Sequence, residues 1–248
     1  MALEKRKGRS PAIVRKMLPA GQQVSDTIGL GLLLALSGGL MDAYSYLCRG
    51  GVFANAQTGN MLLLGVHLSQ GDWAASFYYF CPVAAFAVGI LAALFIRHWC
   101  QQIGKLHWRQ IGVLVELLLL AGVAFIPQEA NLLANSLISL ACGFQVEAFR
   151  KIDGNSIATT MCIGNLRSAI HAAAEYSFTG VRRERTKSLT YFLVILFFVL
   201  GAVLGSRAIA VWREWAILCS SGLLLICFGL MFLELIRNGE GRDGHGAA

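Results

Sequence analysis

The chain has 248 residues, 56% of them apolar and only 14% charged. Soluble domains carry about 25% charged residues, so disorder, a coiled coil and an ordinary soluble enzyme are poor descriptions, and a polytopic membrane protein is expected. The net charge of +7 lies between apolar runs rather than on one face, so it reads as membrane orientation, and no nucleic-acid partner is expected.

The basic head, residues 1–24, has no apolar core of its own and is expected to be a cytoplasmic tail rather than a cleaved signal. A spanning helix needs about 20 mainly apolar residues. Eight apolar segments follow over a transmembrane domain at 25–237. Thr27 to Cys48 has Asp42 as its only charge, Val52 to Gln70 is uncharged but polar at its start, and Trp73 to Ile96 has no charge. Ile111 to Pro127 contains Glu116, Asn131 to Phe149 contains Glu147, and Ile157 to Tyr176 contains Arg167, His171 and Glu175. Ser188 to Ser206 and Trp215 to Leu233 are charge-free, and residues 238–248 are expected to form a second cytoplasmic tail. The seven cysteines contain no Cys-x-x-Cys pair, which argues against a zinc site and a secreted disulfide framework.

Residues 38–63 laid over 143–168 without gaps match at an offset of 105. Gly38 falls on Gly143, Asp42 on Glu147, Ala43 on Ala148, and Gly59-Asn60 on Gly164-Asn165. Further on, Gly89 meets Gly201 only after a further shift of seven residues. Two four-segment halves are expected, at about 25–127 and 131–237.

Charge decides how many segments cross. If all eight do, Lys and Arg divide 12 inside to 8 outside, leaving out Arg167. If Val52–Gln70 and Ile157–Tyr176 dip in and return, the division becomes 17 to 3, with Arg49, Arg207 and Arg213 outside. The second arrangement obeys the positive-inside rule. It gives six spanning helices plus two re-entrant or half-helix segments, an inverted internal repeat, and both termini cytoplasmic. The run Gly50 to Asn60 is too polar for a lipid-facing helix, and its mate, Gly154 to Asn165, has the same character. Irregular backbone at membrane depth survives only inside protein or against a wet cavity. The two hairpins are therefore expected to approach near the midplane, as in many secondary transporters.

Asp42 is expensive inside a membrane and needs water, a proton or a partner. It is either a proton or cation site, or a capping acid that bonds the hairpin amides. Ala35, Gly39 and Ala43 recur every four residues and let one face of the first helix pack closely. Asn55, Gln57, Thr58, Asn60, Thr159, Thr160 and Asn165 supply amides and hydroxyls that bind a small polar solute or satisfy one another. Amides freed where a half-helix starts, near Thr58-Gly59, could receive an anion. Arg167, His171 and Glu175 share a helical face; with Asp42 and Glu147, Arg167 and His171 could form a proton relay, or the face is an ion-paired stripe open to water. Glu116 pairs with Arg109 or serves the cavity. With no phosphate loop, nucleophile set or metal-ligand cluster, neither an enzyme nor a cofactor is expected.

The motifs GGLMDAYSYL, Gly51-Val52-Phe53-Ala54-Asn55 and Gln57-Thr58-Gly59-Asn60 resemble the YoaK-type family of uncharacterised bacterial inner-membrane proteins, a domain of unknown function usually given six transmembrane helices. The likeness covers about residues 25 to 237. The family pattern falls on Gly39, Asp42, Ala43, Asn55, Thr58, Gly59 and Asn60, and in the second half on Gly143, Gln145, Ala148, Phe149 and Arg150. Val146, Glu147 and Ile163 depart from it, so a symmetric Asp42/Glu147 pair does not follow. The resemblance implies a multi-pass inner-membrane location and a topology, but no substrate. The expected function is a small-molecule transporter or channel-like permease, with proton coupling through Asp42 as a natural mechanism. The alternative is a non-transporting membrane scaffold or sensor. Partners are the lipid bilayer and a small polar solute, and the small-residue faces allow a homo-oligomer.

Overall fold

The structure, a computed structural model, describes residues 24–103 and 108–243, with the side chains of 101–103 and 235–243 excepted. Among the described residues are eight α-helices: α1 (Ile28–Cys48), α2 (Gln57–Ser69), α3 (Trp73–Ile103), α4 (Trp108–Val123), α5 (Asn131–Ala148), α6 (Cys162–Thr179), α7 (Arg182–Trp212) and α8 (Ile217–Asp243). The fold is all-α, as expected, with one small addition. Strands β1 (Lys151–Ile152) and β2 (Asn155–Ser156) pair antiparallel. Asp153 and Gly154 turn between them with φ of 51° and 72°, the backbone for which an Asp-Gly pair is suited. The basic head falls outside the described residues up to 23, and the second tail from 244 onward. In between, α8 stays helical through 238–243, where the sequence suggests a tail.

Local chemistry sets the boundaries. The Thr27 hydroxyl accepts from the Leu30 amide (3.4 Å) and caps α1. Past Arg49, Gly50 and Gly51 take φ of 82° and 76°, which lets the chain reverse. Among the described residues three stretches are long and apolar enough to cross a membrane: Ile28–Cys48, Trp73–Cys100 and Arg182–Glu234. The last is divided by the positive φ of Arg213 (49°) into α7 and α8. Helix α2, with 13 residues, spans about 20 Å at ~1.5 Å per residue, short of a bilayer core of about 30 Å. Helix α5 is polar for its 18 residues, but Asn135, Ser139, Gln145 and Glu147 are all buried, so its polarity faces protein.

In the bundle α1 packs on α7, α3 on α5, α2 on α3, α6 on α7, and α4 on both α5 and α8, while α8 also meets α1. The two closest pairs cross through glycine. A Cβ on Gly39 would stand 1.9 Å from the Phe198 carbonyl oxygen, and one on Gly201 2.0 Å from that of Leu36. Likewise, a Cβ on Gly89 would stand 2.2 Å from the Leu140 oxygen, and one on Gly143 2.3 Å from that of Phe86. The expected close-packing face of α1 thus seats on α7, with the Ala43 methyl against Gly205. Many large apolar side chains remain exposed on the outside, and Trp73 and Trp99 mark the two ends of the apolar length of α3 at 74% and 68% exposure. Indole rings favour the two membrane–water interfaces.

Side-chain contacts fix the two ends of the bundle. At one, Arg109 pairs with Asp26 and bonds Ser25, and Glu147 lies near Arg150 (3.6 Å) and Arg97 (3.9 Å). At the other, the Arg49 guanidinium holds α1 to the end of α4, and Gln128 donates to Glu214 (2.8 Å). Ser37 and Ser220 bond across α1 and α8.

Candidate functional site

The chain between α1 and α2 leaves the Arg49 end and returns alongside α1. The Ala54 amide donates to the Ser45 hydroxyl (3.1 Å) and the Asn55 amide to Asp42 Oδ1 (3.0 Å). One turn deeper, Asn55 Nδ2 donates to the Gly38 carbonyl (2.9 Å). Residues 157–161, between β2 and α6, arrive from the opposite end. A Cβ on Gly38 would lie 2.9 Å from the Thr159 oxygen and 3.3 Å from Thr160 Cα. Gly38, in the middle of a 21-residue helix, is thus where the two segments meet.

Each segment is braced by its own amide. Asn60 Nδ2 donates to the Phe53 carbonyl (2.8 Å), and Asn165 Nδ2 donates to that of Ala158 (2.6 Å). Both bonds reach back seven residues. Gln57 Nε2 bonds the Ala54 carbonyl (2.6 Å) and Ser139 on α5 (3.1 Å), and its oxygen accepts from Asn60 (2.9 Å). Gln145 Nε2 bonds the Thr159 hydroxyl (2.8 Å) and the Leu34 carbonyl (3.1 Å). Leu34, Gly38 and Asp42 therefore form one stripe of α1, at i, i+4 and i+8, that faces both segments.

Of the expected site residues, Asn55, Gln57, Asn60, Thr159, Thr160 and Asn165 are buried here and Asp42 is partly buried. Thr58 is exposed on α2. The capping role of Asp42 is directly visible in its bond from the Asn55 amide. Two backbone amides at the start of α2 are already engaged, since the Gln57 and Gly59 N–H groups donate to the Asn55 and Ala56 carbonyls. Glu147 stays with its arginines at the far end, and Arg167 and His171 are exposed on α6. Among the described residues no hydrogen bond or ion pair joins Asp42, Glu147, Arg167 and His171 to one another, nor Arg167 or His171 to Glu175. Glu116 is fully buried, neither carboxyl oxygen has a hydrogen-bond partner, and Arg109 is engaged by Asp26 instead.

Sequence reasoning missed the α5 contribution of Asn135 and Ser139, although their spacing of four in an apolar helix is a readable signal. It also counted Arg49 only as an outside charge. Arg49 is fully buried, donating to Tyr44 Oη (2.9 Å), the Val123 carbonyl (3.1 Å) and the Pro127 carbonyl (3.2 Å), while its own carbonyl accepts from Asn135 (2.7 Å). A guanidinium on the last carbonyls of α4 suits the negative end of that helix. An apolar cavity of about 430 Å³ lies between α1, α7 and α8, lined by Leu36, Leu40, Leu204 and Arg207 among others, and no hairpin residue lines it.

The model of a family described as protein of unknown function (DUF1275) matches residues 30–230. A transmembrane protein of Bacillus subtilis (strain 168), UPF0700 transmembrane protein YoaK, is 24% identical over 185 residues, covering 71% of this chain and 81% of that protein. No solved structure matches.

Proposed function

The chain belongs to the DUF1275 family, and we propose that it is a small-molecule transporter or channel-like permease whose solute site is the meeting point of the two hairpins. The observation that carries this reading is the convergence of two polar, non-helical segments from opposite ends of the bundle on Gly38. Irregular backbone of this kind inside an apolar bundle is where transporters hold their substrates. In this reading α1, α3, α4, α5, α7 and α8 are the six crossings of a bacterial inner membrane, and both termini are cytoplasmic. Asp42, Asn55, Gln57, Asn60, Thr159, Thr160 and Asn165 form the site, and proton coupling runs through Asp42.

Inverted halves are supported by contacts that recur when the halves are exchanged. Helix α1 packs on α7 as α5 does on α3, α2 on α3 as α6 on α7, and α8 on α1 as α4 on α5. At the crossings Gly39 meets Phe198 as Gly143 meets Phe86, and Gly201 meets Leu36 as Gly89 meets Leu140. That correspondence equates Gly39 with Gly143, one residue off the gap-free sequence register, and sets Asp42 opposite Val146 rather than Glu147. The hairpins keep the sequence register, since Asn60 and Asn165 make the same bond.

One observation favours a scaffold or sensor instead: the apolar cavity lies away from Asp42 and the hairpins. Osmotic swelling of proteoliposomes in a panel of small polar solutes, including glycerol, glycine, urea and ammonium chloride, separates the two readings. A permease admits at least one solute faster than protein-free vesicles do, and Asp42→Asn changes that rate. Swelling equal to protein-free vesicles across the panel supports the scaffold.

A further inference from the structure

The unpaired buried side-chain atoms at the hairpin junction are all oxygens. Asn55 Oδ1, Gln145 Oε1 and Thr160 Oγ1 have no hydrogen-bond partner, and their residues are at most 1% exposed. The Cys142 thiol lies beside Thr160, whose hydroxyl can donate to the sulfur and keeps its own lone pairs for a ligand. Amide orientation is fixed chemically: Asn55 and Gln145 each donate their side-chain nitrogen to a carbonyl of α1, Gly38 and Leu34 respectively. A carbonyl cannot donate, so exchanging N and O in either amide would break that bond and leave the surplus unchanged. On the first hairpin the backbone donors of Ala54, Asn55, Gln57 and Gly59 are committed to Ser45, Asp42 and two carbonyls, and on the second the Ala158 amide donates to Asn165. Two amide oxygens and the lone pairs of one hydroxyl are therefore left within a turn of Gly38, beside an Asp42 that no ion pair neutralises among the described residues.

Buried acceptors without partners are costly, so a ligand that relieves them must bring positive charge or donors. An anion fails on both counts. A hard cation takes oxygen ligands from amides, hydroxyls and carboxylates, and one carboxylate among neutral oxygens balances a single charge. We infer that the junction of Asp42, Asn55, Gln145 and Thr160 binds a small monovalent cation, either an alkali metal ion or ammonium. The site is the one proposed above for transport, so its role in permeation rests on that reading, although binding can be measured without it.

The test uses the full chain purified in detergent, with melting temperature followed against sodium, potassium or ammonium chloride at constant ionic strength set by choline chloride. We expect a saturable rise with at least one of the three cations. Thr160→Val removes one oxygen while keeping the side chain's shape, and its apparent affinity should fall by about tenfold or more, the equivalent of one hydrogen bond. Asp42→Asn should abolish the response, and Glu116→Gln should retain it. Indifference of the wild-type chain to cation identity overturns the inference, as does a response lost in Glu116→Gln but kept in Asp42→Asn. The two readings fail separately: a cation response with no solute flux removes transport and leaves the site, whereas flux without a cation response does the reverse.

Discussion

Two buried residues with opposite surroundings make the sharpest demands on the chain. Arg49 gives its guanidinium to Tyr44 and to the carbonyls of Val123 and Pro127. Arg49→Met leaves those carbonyls bare at about 1–3 kcal/mol apiece, and we expect a clearly lower melting temperature in detergent. Lysine is an incomplete substitute, because its ammonium lacks the planar fork that reaches several acceptors at once; Arg49→Lys should melt between the two. Glu116 is the reverse case, fully buried with both oxygens unpartnered. Replacing such a group by an apolar one of similar shape is nearly neutral or stabilising. Glu116→Met should therefore melt no lower than the parent, and a loss of several degrees would reveal a partner that the structure does not give it. Asp42 was legible in the sequence as a residue needing a partner. Its partner, the Asn55 amide, was legible only as one of two alternatives, because backbone donors carry no sequence signature.

At the level of elements, hydropathy located each described helix, but α3, α7 and α8 run 6 to 10 residues beyond the expected apolar segments, and the glycines explain which helices touch. Gly39→Ala or Gly143→Ala would push a Cβ into a backbone carbonyl at about 2 Å, where no side chain can give way. The penalty should exceed the ~1–3 kcal/mol usual for overpacking, read as loss of the folded peak in size-exclusion chromatography. Gly222 and Gly229 have nothing within 4 Å of a Cβ. Gly222→Ala and Gly229→Ala in α8 should instead raise stability by ~0.5–1 kcal/mol, the usual gain of alanine over glycine inside a helix. The sequence also located both hairpins, from Gly50 to Asn60 and Gly154 to Asn165, since polar runs between apolar helices stand out. It did not reveal the β-ribbon at 151–156, because two-residue strands leave no period to read. Nor did it reveal that Asn135 and Ser139 brace the first hairpin, because polar residues spaced along a helix do not say which segment they face. The one-residue slip that the proposed repeat requires between helices and hairpins escaped because a gap-free match cannot register an insertion inside a turn.

Across the whole molecule, the segments before α2 and α6 enter from opposite ends and meet at one turn of α1. Membrane exposure follows from where the apolar surface lies, and the outward Trp73 and Trp99 bound its height on α3. The relay imagined for Asp42, Glu147, Arg167 and His171 does not assemble here, because charges spaced along a sequence say nothing of which helix faces them. The residues expected at a solute site, Thr58 apart, are instead buried or partly buried on or against the two segments that meet at Gly38. The most direct measurement is labelling of single cysteines, in a chain cleared of its native ones, by an impermeant maleimide in intact cells and in inverted vesicles. We expect Gln70→Cys to react from the same side as Gln128→Cys, and Thr179→Cys from the other side together with Lys151→Cys. Reaction of Gln70→Cys from the Lys151 side would mean that α2 crosses the bilayer, contradicting the re-entrant hairpins and the permease built on them.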